Sequence, residues 1–243
     1  MKDLYTAALH LYNEAFPGEE KAFTEALFAL GFPQYLEGLG ERGELYSMLF
    51  ALPYSIVTKE GTLPARYLYA VATDKAQRGK GYAKQLLQQL AKEGTPIFLR
   101  PMSPSLFDFY RSAGFKPFSP YREICGEAGG DVSGICTLNA DEYLAARDGF
   151  LRPPYCRMTK EFLSLCFSIG GAVGEAGKFA ALYEKDGDRV LFKEWWGDPS
   201  HASRAAAFLG ASHFEARFPD KDGTPFGVGI NVPEDTVFLA ALD

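Results

Sequence analysis

The sequence predicts a mixed α/β (α+β) fold in which a sheet is flanked by helices. Three observations carry that expectation. Ala65 to Phe118 reads as strand, glycine turn, helix, short strand, helix and strand. Elsewhere, amphipathic helical runs closed by glycine alternate with strand-like apolar runs. Asp186-Gly187 stands between two such runs and predicts a hairpin.

The elements follow in order. Asp3 can cap a helix running to about Phe16, with Leu4, Ala8 and Leu11 on one face and Pro17-Gly18 as its stop. A second helix fits Glu19 to Leu30, with Gly31 as C-cap. Tyr35 to Leu39 and Glu44 to Ile56 read as strands around the turn Gly40 to Gly43, and Pro53 demotes or bends the end of the second. The central strand covers Arg66 to Thr73, and Lys84 to Glu93 is helical. Pro96 to Arg100 is a short strand, and Ser103-Pro104 opens a helix as N-cap and N1. A strand after Phe115 is broken by Pro117 and Pro120, and Gly126 to Gly134 is a glycine-rich loop. Asn139 to Glu142 forms a capping box, Thr159 caps a helix to Ile169, and Gly170-Gly171 closes it. Strands at Phe179 to Glu184 and Arg189 to Trp196 precede a helix from Asp198-Pro199 to Gly210. Ser212 to Phe218, Phe226 to Val232 and Thr236 to Leu242 complete the strands. Trp195-Trp196 is read as core and interface rather than a ligand platform.

Bulk properties narrow the function. A chain of 243 residues with 47% apolar content holds one large domain or two small ones. Its net charge of −6 argues against a nucleic-acid partner and leans towards cationic substrates. No apolar run is long enough for a membrane span, and Met1-Lys2-Asp3-Leu4 does not open a signal peptide. A cytoplasmic protein is expected. Cys125, Cys136, Cys156 and Cys166 form no C-x-x-C, and the histidines are His10, His201 and His213 alone. No metal site is therefore expected, and the thiols read as reduced and buried or half-buried.

The turn Gln77 to Ala83 carries the chemistry. Gly79 and Gly81 let a ligand approach the backbone closely, just where a helix N-terminus offers unpaired N–H groups. Arg78 and Lys80 add positive charge, so a pyrophosphate ligand is expected. Lys84 stands where the dinucleotide fingerprint G-x-G-x-x-G needs its third glycine, and a Walker A pattern is absent.

The pattern Arg78-x-x-Gly81-x-Ala83 resembles the acetyl-CoA turn of the GNAT N-acetyltransferase superfamily. Phe109-Tyr110 followed by Gly114-Phe115 is similar to that family's second signature, in order and at its spacing. The resemblance implies a mixed, mostly antiparallel sheet flanked by helices. It also implies acetyl-CoA as co-substrate, without a metal. Val71, Ala72 and Thr73 would line the pantetheine arm, with the Val71 N–H polarising the thioester. Arg78, Gly79, Lys80, Gly81, Tyr82 and Ala83 would bind the pyrophosphate. Tyr110 would be the general acid, a phenol of pKa about 10 donating to a thiolate of about 8.5. The first two helices would wall the acceptor, which makes Phe16, Phe23 and Phe28 candidates there. One departure is that this chain opens on a helix, where the family usually has a strand.

The base is harder to assign. A primary amine is only about one part in a thousand neutral at pH 7. No carboxylate lies between Ala65 and Thr73. Glu37 and Glu44 on neighbouring strands are candidates. The C-terminal carboxylate of Asp243 is another, by resemblance to the enhanced-intracellular-survival type of acetyltransferase.

Residues 1–128 are thus expected to form the catalytic domain. Residues 129–243 are expected to form a GNAT-like or α+β second half without a CoA turn. The expected activity is direct transfer of an acetyl group to a primary amine of a small acceptor. The alternative is a non-catalytic acyl-CoA-binding or regulatory protein. Neither nucleic acid nor membrane is expected as a partner, and a homo-oligomer stays open.

Overall fold

The computed structural model describes residues 4–30, 35–39 (backbone only) and 45–242. The chain forms two compact units. Met1–Ser55, Leu63–Lys116 and Val228–Val232 make the first; Ile56–Thr62, Pro117–Gly227 and Pro233–Asp243 make the second.

The first unit opens with helices α1 (Leu4–Ala15) and α2 (Lys21–Leu30). Strands β1 (Tyr35–Leu39), β2 (Leu45–Val57) and β3 (Thr62–Thr73) follow, then α3 (Tyr82–Lys92), β4 (Ile97–Leu99) and α4 (Pro104–Ser112). The strand order is β1-β2-β3-β4, and Val228–Ile230 returns antiparallel to β4. β2 runs through Pro53 rather than ending there. Among the described residues β1 pairs with Leu45 to Leu49, which leaves Pro53 outside that ladder.

Why β3 holds the middle is visible in its side chains. Tyr69 packs towards α1 and α2, against Phe16 and Phe23. Leu68 faces the other way, into a cluster with Leu86, Leu87 and Leu90 of α3 and Tyr110 of α4. Those three leucines form one stripe of the α3 helix, which is what drives it onto the sheet. Strict alternation would put Ala70 beside Leu68, yet Val71 joins that cluster instead. Ala70 sits at φ 50, so the strand is distorted at this residue and its facing slips by one.

The second unit contains β5 (Lys116–Glu127), β6 (Cys136–Leu138), α5 (Ala140–Phe150), β7 (Tyr155–Arg157), α6 (Lys160–Ile169) and β8 (Gly170–Glu175). β9 (Phe179–Asp186), β10 (Arg189–Gly197), α7 (Ala202–Phe208), β11 (His213–Pro219) and the start of β12 (Thr224–Ile230), up to Gly227, complete it. Its strands run β5-β11-β10-β9-β8-β6. β10 and β11 are parallel; the other neighbours in this series are antiparallel. The Asn139 capping box and the Thr159 cap both form. Behind α5, Arg147 is 1% exposed and its Nε lies 2.7 Å from Glu194 Oε1. Tyr143 donates to the same carboxylate oxygen, and Arg147 Nη2 reaches the Cys156 carbonyl at 3.0 Å.

The mixed, mostly antiparallel fold agrees with the sequence expectation, with four local corrections. Pro117 and Pro120 do not break β5; the strand continues through Ser119 at φ 54. Gly170-Gly171 closes α6 but also opens β8, because a strand is the next thing the chain builds. Thr236 to Leu242 is not a strand: it carries a single parallel bridge from Val237 to Tyr155. Ser119 holds it there, donating to the Phe238 carbonyl at 2.6 Å and accepting from the Phe238 N–H at 2.8 Å. Finally, Cys125 and Cys136 are exposed.

Trp195 and Trp196 are core, as expected. The first stacks on Phe179 with ring centroids 4.6 Å apart, and Arg147 lies 5.0 Å over the second. Among the described residues no helix is long and apolar enough to cross a membrane, and no His, Cys, Asp or Glu cluster could hold a metal ion.

Candidate active site

The site starts where β3 parts from β4. Their parallel ladder covers Arg66–Ile97 and Tyr67–Phe98 and extends no further. β3 continues beyond it to Thr73, distorted at Ala70. The β2 side of β3 stays tied: Ser47 Oγ donates to the Ala72 carbonyl at 2.9 Å and meets Thr73 Oγ1 at 3.1 Å. Asp74 N–H donates to the Tyr46 carbonyl at 2.9 Å. One edge of Val71 to Thr73 is thus fixed to β2, while the other has left its β4 partner.

The turn is built in three steps. Asp74 accepts from Ala76 N–H and caps a short 3-10 turn, Lys75–Gln77. The Arg78 guanidinium folds back on the strand end, its Nε 3.2 Å from the Thr73 carbonyl. Lys80 Nζ reaches Gln77 Oε1 at 2.6 Å. Gly79 and Gly81 then take φ 80 and φ 87, left-handed values that cost a residue with a Cβ roughly 1–2 kcal/mol. No atom lies within 4 Å of where a Cβ would stand on either glycine. Gly81 is the N-cap of α3 and contributes no side-chain cap. The first N–H groups of α3 therefore have no intrahelical partner and no cap from the side chain of the N-cap residue. Tyr82 packs on Tyr46 with centroids 5.1 Å apart, which seats the helix start on β2. Open glycine faces and an uncapped positive helix end suit a pyrophosphate.

Tyr110 of α4 belongs to the cluster that holds Leu68 of β3 and on which Val71 packs. Tyr110 is buried between Phe109 and Phe115, and burial pushes its phenol well above the ordinary value. No described residue hydrogen-bonds its hydroxyl. Ser103 stands at the N-cap of α4 but its hydroxyl meets Ser105 Oγ at 3.0 Å rather than capping the helix.

Residues 2–118 match the family model of the acetyltransferase (GNAT) domain. The chain carries a GNAT domain. No curated protein matches it in sequence. Among solved structures, the GCN5-related N-acetyltransferase from Anabaena variabilis is similar, with TM-score 0.67 and 12% identity over 96% of this chain and 71% of that one. A probable N-acyltransferase from Enterococcus faecalis gives TM-score 0.64 at 15% identity, over 92% of this chain and 69% of that one. The N-myristoyltransferase of Saccharomyces cerevisiae with bound myristoyl-CoA gives 0.53 at 12%, over 97% and 83%. At such identities the likeness is one of fold. The GNAT domain itself supports an acyltransferase.

Of the residues predicted for this GNAT site, Val71 to Thr73 and Arg78 to Ala83 lie along one continuous strand end and turn, and Tyr110 belongs to the cluster on which Val71 packs. Glu44, Asp243 and the side chain of Glu37 lie outside the described residues. Phe28 packs deep against Tyr12 and Phe50, whereas Phe16 stays half-buried. The sequence reading missed Glu19. Its carboxylate accepts from Tyr69 at 2.8 Å and from Tyr12. Only the alternation of tyrosines in β3 could have hinted that a polar partner was needed there.

Proposed function

We propose that this protein is an acetyl-CoA-dependent N-acetyltransferase acting directly on a primary amine of a small acceptor. The observation that carries the reading is the joint geometry of the distorted strand end and the glycine turn. The main chain from Val71 to Thr73 would lie along the pantetheine arm. Gly79, Gly81 and the N–H groups of Tyr82 and Ala83 would cradle the pyrophosphate, with Arg78 and Lys80 supplying charge. Acetyl-CoA supplies the activated acyl group. Val71 N–H would polarise its carbonyl, and the neutral Tyr110 phenol would protonate the departing thiolate. Asp243 is the proposed proton acceptor for the incoming amine, and its deletion should cut turnover while sparing acetyl-CoA affinity. The segment order of the second unit supports reading it as a GNAT-like half without a cofactor site. The negative net charge supports a cationic acceptor.

Calorimetric titration with acetyl-CoA tests the core of this. Wild type should bind, and Gly81→Glu, which puts a carboxylate where a phosphate would sit, should not. Equal binding by both would remove the turn from the site. No binding by wild type would end the acetyltransferase reading.

A further inference from the structure

The α1–α2 junction holds a fixed carboxylate in an aromatic surround. Glu19 is exposed, yet both its oxygens are gripped by buried phenols: Tyr69 hydroxyl donates to Oε1 at 2.8 Å, and Tyr12 hydroxyl donates to Oε2. Phe16 stacks on Tyr69 with ring centroids 6.3 Å apart at 18°, and Phe23 meets Tyr69 edge-on at 6.1 Å. Phe16 also packs on Tyr12 at 5.1 Å. Burial, reinforced by Glu19, holds both phenols far above their ordinary range, so both remain donors. A carboxylate oxygen accepts more than one hydrogen bond, so each keeps capacity on its solvent side.

Position gives this arrangement meaning. Tyr69 precedes the distorted residue Ala70 and stands two residues from Val71. At about 3.3 Å per residue, the tyrosine backbone lies roughly 7 Å from the proposed carbonyl polariser. An anion pinned by two donors beside aromatic rings is a receptor for a cation.

We propose that Glu19 anchors the acceptor: its carboxylate receives the second, non-reacting ammonium group of a diamine, with Phe16 and Tyr69 against the carbon chain. The acceptor class is then cationic amines, as opposed to neutral or anionic acceptors. This rests on the acetyltransferase reading for its consequence, but the anchor itself can be seen without turnover.

The test uses the conservative variant Glu19→Gln, which keeps a carbonyl oxygen for the tyrosines and loses the charge. n-Butylamine, 1,4-diaminobutane, tyramine and lysinamide are titrated calorimetrically into the whole protein without acetyl-CoA. At least one should bind wild type, with affinity reduced tenfold or more in the variant; 1,4-butanediol should bind neither. In turnover with acetyl-CoA, KM for 1,4-diaminobutane or lysinamide should rise by the same factor, with kcat within about threefold and acetyl-CoA affinity unchanged. Amine binding that the variant keeps, or no binding of any of the four to wild type, overturns the anchor. A lowered unfolding midpoint with unchanged KM also overturns it, assigning Glu19 to a structural tie between α1 and β3. Amine binding lost in the variant upholds the anchor even if no acetyl transfer is found, a result that would count against the acetyltransferase reading alone.

Discussion

Tyr110 is buried, surrounded by rings, and its hydroxyl meets no described partner. A core tyrosine that earned its place structurally would have a bonded hydroxyl, and losing that bond would cost about 1–3 kcal/mol. Tyr110→Phe should therefore leave stability within about 0.5 kcal/mol of wild type in denaturant titration. It should lower kcat by about 10²-fold while acetyl-CoA affinity holds. A stability loss without a rate loss would make the residue structural. Tyr12, Tyr69 and Tyr143 share its raised pKa, each chiefly through burial. A phenol whose folded pKa is raised stabilises the fold fully below its unfolded value, about 10, and the contribution is lost as pH climbs above that. Unfolding free energy should then fall from about pH 10 upward, with these four phenols ionising together with unfolding. Titration of any of these four phenols in the folded protein near its ordinary value would refute this. At this scale the burial of Tyr110 could be expected because it sits in a spaced motif on α4. The ties of Glu19 could not, because its partners are 7 and 50 residues away and no local pattern announces them.

The glycine turn is an element whose shape and charge do different jobs. Gly79→Ala should cost roughly 1–2 kcal/mol of stability from the left-handed φ alone, seen as a lower denaturation midpoint. It should also weaken acetyl-CoA binding at least tenfold, because the new methyl occupies open space above the backbone. Arg78→Ala, by contrast, should weaken binding in a salt-dependent way and leave the midpoint unchanged. The Ser119 clip on β5 is the counterpart in the second unit. Ser119→Ala leaves the Phe238 N–H and C=O buried without that partner, and should destabilise by about 1–3 kcal/mol in thermal unfolding. Helices, hairpin and turn could be read from caps, glycines and periodicity, since those signals are local. The continuity of β5 through two prolines could not, because its partner β11 lies some ninety residues on, pairing Tyr121 with Pro219. The end segment misled for the same reason: Phe238 to Leu242 looks like a strand in composition and is buried like one, but Ser119 rather than a neighbouring strand receives Phe238.

Across the whole molecule one order of elements occurs twice. Two helices, three successive strands, a helix and a parallel strand describe α1 to β4, and describe α5 to β11 once the short β7 is set aside. Both third strands are irregular, at Ala70 and between Phe192 and Glu194. Both are followed by an aspartate that caps a 3-10 turn, Asp74 and Asp198. There the likeness stops. His201 leads straight into the seven-residue α7, with no glycine pair before it. Calorimetry should accordingly give one acetyl-CoA per chain; a stoichiometry of two would assign the second unit a site of its own. That unit instead has Arg147 and Glu194 paired in its interior. Glu194→Ala should cost about 3–5 kcal/mol, measured as a lower unfolding midpoint, because it strands a buried guanidinium. The open faces above Gly79 and Gly81 bear on how such a protein ages. A grip made of main-chain N–H groups is stored as torsion angles, and side chains around it are nearly free to be rewritten. A shape held in that way can outlast the residues that first surrounded it.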